Sequence, residues 1–295
     1  MEQSAESGLD LDQSIAVIHV PLMCDGHHTR SPHLSTDALT TACAGAAPSL
    51  LPLKAFASAR EGLAAIPWLQ AVSSATLDVL SEQAVLHRVP AGSILFEQTE
   101  MPPFAQFLLA GCVDLVAVDG ESASFIEAVQ PIDLLLPAAV LNRQPYLARA
   151  QVRDEAQLIL IHADAFRAAV TSDHAFCLAV LACQAAQFRR QVRQARSLRL
   201  RSAEERVACY LLQLLDGAQP NSPLRLPLEK RHIAWQLGMT RETLSRILAS
   251  LARQGVHIVG DTIVINDPAD FRSRWHLDPL IDAQEPIVPL PLGRR

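Results

Sequence analysis

The stretch from His232 to Leu251, HIAWQLGMTRETLSRILASL, puts Arg241, Glu242, Ser245 and Arg246 close together on a segment with helical apolar spacing. These residue types fit the edges of base pairs. Arginine can give two hydrogen bonds to guanine O6 and N7, glutamate can accept from the cytosine amino group, and serine adds a weaker contact. Thr240 is a natural N-cap, and its hydroxyl and that of Thr243 lie where a helix dipole favours phosphate. The chemistry on offer is recognition of duplex DNA. A plainer alternative is a solvated helix face carrying a Glu242–Arg246 pair at i,i+4, which would also hold both side chains in one orientation.

To be presented on one face, these residues need a scaffold. With Lys230 as the first position of a helix-turn-helix window, Ala234 falls where the two helices come close and Gly238 falls in the turn, where positive φ is wanted. Ile233, Leu237, Met239, Leu244 and Ile247 fall on inward positions. Helices are therefore expected over 229–237 and 240–254, the N-terminal end of the second entering the major groove. An amphipathic helix over 203–217 precedes them. A hairpin, GVHIVGDTIVIND with Gly-Asp at its tip, follows.

Charge agrees with this placement. The chain of 295 residues carries a net −6. Between Arg189 and Arg253, however, twelve Arg and Lys230 face only Glu204, Glu205, Asp216, Glu229 and Glu242. A basic section in an acidic chain suggests a polyanionic partner.

Length allows two domains, and 49% apolar with 19% charged residues is an ordinary globular balance. The acidic start MEQSAESGLDLDQ does not read as a signal peptide, and no long uncharged apolar run appears, so a cytoplasmic protein without a membrane span is expected. Cys24, Cys43, Cys112, Cys177, Cys183 and Cys209 show no metal-ligand spacing.

Residues 1–55 read as an irregular extension, with SIAVIHVPLM (14–23) as one short strand. Over 82–163, apolar and polar residues alternate between Gly and Pro breaks, the pattern of a small antiparallel sandwich or jelly roll. A single helix of about thirty residues, some 45 Å long, is expected across 166–200. Its seam of Phe176, Val180, Cys183, Gln187, Gln191, Gln194 and Leu198 is assigned to dimerisation. The alternative, packing on the chain's own sandwich, suits the N-terminal half better than the polar FRRQVRQARS end.

A β-roll, a long helix, then RSAEERVACYLLQLL and the HTH-and-hairpin run resemble the family of the cAMP receptor protein and the fumarate-nitrate reduction regulator, over about residues 60–275. The resemblance implies an α+β chain: a β-roll sensor domain (56–165), a long dimerisation helix (166–200), a winged helix-turn-helix (201–280) and a tail (281–295). It implies homodimers on an inverted repeat, RNA polymerase as a further partner, and base contacts from Arg241, Glu242, Ser245 and Arg246. Half-sites with a TGA-type core, TTGA or TGTGA, follow.

The sensor departs from that family. Its phosphate cassette carries Phe-Gly-Glu and then Arg-Ser, whereas here Leu136 and Pro137 replace Gly-Glu, and Tyr146 and Leu147 replace the Arg and its hydroxyl partner. Arg149 lies nearby, three residues along a strand and hence facing the other way. Burying a cyclic phosphate without a paired cation is costly, so cAMP is disfavoured. Leu136, Tyr146, Leu147 and Arg149 are candidate lining residues for an unidentified or apolar effector. After that come no effector, haem or redox sensing through Cys24, His27 and His28, and last a cyclic nucleotide. An enzyme is not expected, there being no P-loop, HExxH or GxSxG. An interaction scaffold with vestigial DNA binding is the competing class.

Overall fold

A computed structural model describes residues 56–120, 122–218, 223–283 and 287. The expected strand at 14–23 and the extension around it lie outside these. Two short helices, α1 (Ala59–Ala64) and α2 (Ser74–Glu82), lead into strands β1 (Ala84–Val89), β2 (Ile94–Phe96), β3 (Phe104–Asp119), β4 (Ser122–Val129) and β5 (Asp133–Leu135). Helix α3 (Pro137–Asn142) interrupts them before β6 (Arg149–His162). All pairings are antiparallel, in the order β1-β6-β3-β4, with β2 also on β6 and β5 on β3.

The two long strands curl the sheet into a roll. Their register slips between Leu108 and Val113, and Gly111 sits in that stretch at φ +85°, where a Cβ would lie 2.3 Å from the Glu155 carbonyl oxygen. Only glycine allows so close a pass. One apolar cluster, including Phe96, Leu108, Leu115, Tyr146 and Leu158, fills the inside of the roll. Another, around Leu63, Trp68, Phe107, Phe166 and Phe176, joins the roll to the helices beside it.

The single helix expected over 166–200 is two. Helix α4 (Ala163–Ser172) and helix α5 (His174–Leu200) meet at a bend of 113°. Asp173 makes the break: its backbone is extended, and its carboxylate accepts from the Phe176 amide at 2.9 Å and from the Thr76 hydroxyl. A carboxylate satisfying the first free amides of a helix is a strong start signal. Among the described residues no single helix is long and apolar enough to cross a membrane.

Ser202 and Glu205 then form a reciprocal cap that begins α6 (Ala203–Gly217). Helices α7 (Lys230–Gln236) and α8 (Arg241–Ala252), the hairpin β7 (Val256–Val259) and β8 (Thr262–Ile265), and short helices α9 (Pro268–Arg274) and α10 (Pro279–Asp282) complete the order. A third core gathers Leu211, Ile233, Ala234, Leu244, Leu251, Val256 and Phe271.

Candidate nucleic-acid interface and sensor interior

The turn between α7 and α8 has the geometry its sequence requires. Ala234 is fully buried, Gly238 has φ +63°, and Ile233 and Leu244 point into the core. Thr240 caps α8, its hydroxyl oxygen accepting from the Thr243 amide at 3.2 Å. Arg241, Glu242, Ser245 and Arg246 are all exposed on the first turns of that helix, and Thr243 is half-buried beside them.

Glu242 is held below the ordinary glutamate value by hydrogen bonds from its own amide and the Thr240 hydroxyl, with Arg241 and Arg246 adding attraction. It is therefore an ionised acceptor at neutral pH. Arg246 acts on the Glu242 carboxylate by attraction. Both arginines are exposed at the protein surface.

Helix α7 docks on the roll. Trp235 stacks over Phe125 of β4 at 6.4 Å between ring centroids. Beneath it, Arg153 and Asp114 form a buried pair, with Nε to Oδ2 at 2.9 Å. Burial raises the Asp114 carboxyl although Arg153 opposes this, and His232 adds to the opposition. Burial lowers the His232 imidazole, as do Arg153 and Arg231. The composition of α7 gave no hint of this docking, because Trp235 and His232 read equally well as solvent-facing positions.

The N-terminal half of the expected dimerisation seam is turned inward, while Gln191 and Leu198 are exposed. Phe176, Val180 and Cys183 are buried in the chain's own core. The polar end approaches the roll through hydrogen bonds instead of apolar burial. Gln187 donates to Asp133 at 2.9 Å and to the Leu134 carbonyl at 2.6 Å, Gln191 to Glu127 at 2.5 Å, and Gln194 to the Ile126 carbonyl at 2.7 Å. Arg190 bridges Glu127 at 2.7 Å and Asp133 at 2.5 Å. Leu198 lies over Gly238. The exposed stripe is the adjacent one, Leu181, Ala185, Phe188, Val192 and Ala195, with Phe188 70% exposed. Its steps of four and three are those of a coiled-coil seam.

The candidate effector residues do not line one cavity. Tyr146 is 1% exposed and lies flat on Phe96, ring centroids 3.7 Å apart, inside the filled roll. Leu147 is 88% exposed and points away from it. Arg149 pairs with Glu97 at 2.7 Å, as expected of a side chain on the opposite face. Leu136 keeps the left-handed backbone, at φ +39°, that glycine adopts most readily. Cys24, His27 and His28 lie outside the described residues.

Fold and site thus define a winged helix-turn-helix protein with an N-terminal β-roll domain. A Crp-like helix-turn-helix domain matches residues 205–274 and a cyclic nucleotide-binding domain matches 86–173. Together the two matched domains give the chain the architecture of a Crp/Fnr-type transcription regulator. The chain is 25% identical over 205 residues to the CRP-like cAMP-activated global transcriptional regulator of Mycobacterium tuberculosis, spanning 67% of this chain and 91% of that one. Over 73 residues it is 37% identical to the nitrogen fixation regulation protein FixK of Rhizobium meliloti, spanning 24% of this chain and 35% of that one. A Crp/Fnr-family regulator from Eubacterium rectale superposes with a TM-score of 0.58 at 17% identity, over 70% of this chain and 97% of that one, a likeness of fold.

Proposed function

We propose that the chain is a homodimeric regulator reading an inverted repeat with TGA-type half-sites about one helical turn apart. The observation that carries this is the exposed set Arg241, Glu242, Ser245 and Arg246 at the capped start of α8. The stripe Leu181–Phe188–Val192 supports the homodimer.

The filled roll supports a sensor that works without a cyclic nucleotide in its interior. Tyr146 on Phe96 occupies the inside, and a cyclic phosphate there would meet Leu136 and Pro137 where the family carries Gly-Glu. Haem on the N-terminal Cys24, His27 and His28 is the second reading, and an absorption spectrum of the purified chain tests it directly.

The deciding experiment measures affinity for a duplex bearing a TTGA inverted repeat against a scrambled duplex, over a range of salt. Tight, sequence-selective binding with a steep salt slope is expected. Equal affinity for both duplexes would overturn the reading.

A further inference from the structure

The described residues after the wing pack on both domains. Trp275 and Leu277 pack in the core of the DNA-binding module, α10 lies on α5, and Ile287 packs against the apolar cluster of the sensor domain. Helix α10 lies at the joint where α5 ends and α6 begins. Arg201, the last cap of α5, donates to both carboxylate oxygens of Asp282, at 2.8 and 2.5 Å. These side chains are only 9% and 7% exposed. Gln213 of α6 donates to the same carboxylate at 3.1 Å, and Arg196 of α5 faces Asp278 at 3.8 Å. Asp282 therefore holds one residue from each side of the joint. Within α10, Asp278 and Asp282 also bond to each other's backbone, which fixes the carboxylate for this task.

Arg206 secures the other flank. Its guanidinium donates to the Arg201 carbonyl at 2.9 Å and to the Leu237 carbonyl at 2.8 Å. It thereby ties the end of the long helix to the helix-turn-helix turn. A planar fork with five donors suits such a junction, where a flexible lysine would not.

We infer that the segment Trp275–Asp282 is a strap that sets the angle of the recognition helix to α5, with Asp282 and Arg201 as its positioning residues. This rests on the proposed reading of a palindromic site. A dimer reads two half-sites at once only if each recognition module is held at a fixed angle to the dimer axis. Loosening the joint leaves each module able to bind one half-site while removing the gain from binding both. That gain depends on geometry and reaches about a hundredfold or more.

The test uses the full chain, wild type beside Asp282→Asn and the charge-reversed pair Arg201→Asp with Asp282→Arg. Three things are measured: affinity for a single half-site, affinity for inverted repeats with one base pair added or removed between half-sites, and amide exchange across the α5–α6 joint without DNA. For Asp282→Asn the expected result is an unchanged half-site affinity, roughly tenfold weaker binding of the best repeat, near-equal binding of the three spacings, and faster exchange at the joint. The reversed pair should restore spacing discrimination. Wild-type spacing discrimination together with unchanged exchange in Asp282→Asn would overturn the strap. Because exchange is read without DNA, a wild-type chain that ignores the repeat would refute the proposed function separately.

Discussion

Leu198, near the end of α5, covers Gly238 in the turn of the DNA-binding module so closely that a Cβ on Gly238 would lie 2.5 Å from its Cδ2. The backbone there is left-handed, at φ +63°. Gly238→Ala therefore adds a conformational cost of about 1–2 kcal/mol, and Leu198 must move as well. Calorimetry should show a lower midpoint for the module, and Leu198→Ala in the same chain should recover part of the loss.

Arg246→Ala removes a donor fork from an exposed position with nothing to fold around it, so stability should hold. Discrimination between TGA-type and altered half-sites should fall by about 1–3 kcal/mol. Competition binding with single-base variants of the duplex measures this, and equal loss on every variant would mark Arg246 as a phosphate contact instead.

The two stripes of α5 make opposite predictions. Phe188→Glu places a charge in the exposed apolar seam and should convert dimer to monomer in sedimentation. Gln187→Ala removes hydrogen bonds to Asp133 and the Leu134 carbonyl. It should loosen the helix from the roll, visible as faster exchange at β5, and leave the oligomeric state alone.

Docking of α7 on the roll should depend on pH through His232. Burial, with Arg153 and Arg231, lowers this imidazole, while Asp114 and Glu229 act the other way. A group whose value is depressed in the docked state takes up its proton preferentially when undocked. The contact is thus at full strength above about 6.5 and weakens as pH falls below it. The part of the tryptophan emission lost in Trp235→Phe reports this. Its shift should follow the imidazole titration and be absent in His232→Gln.

How far the chain could be read in advance varied with the range of the interactions. The turn at Gly238, the cap at Thr240 and the apolar spacing around Leu244 are all local, so the DNA-binding module was legible almost residue by residue. The roll was legible as alternation, but not the close pass at Gly111, which depends on Glu155 arriving from a distant strand. On α5 two stripes run side by side at similar spacing. Sequence alone does not say that Gln187 and Gln194 find strand carbonyls while Phe188 is left outside. The signal for the break was present in Asp173, masked by uninterrupted apolar spacing on both sides. The pairing of Arg201 with Asp282 spans 81 residues, and no local pattern announces it.

Strand β4 offers Phe125 to Trp235 of α7 and, two residues on, Glu127 to Arg190 of α5. Eight residues of one ribbon thus serve both the reader of DNA and the helix that presents the exposed seam. The two clients share a single rail: when the ribbon shifts, neither can keep its old place while the other moves. A displacement of β4 as one rigid ribbon would therefore reach both contacts.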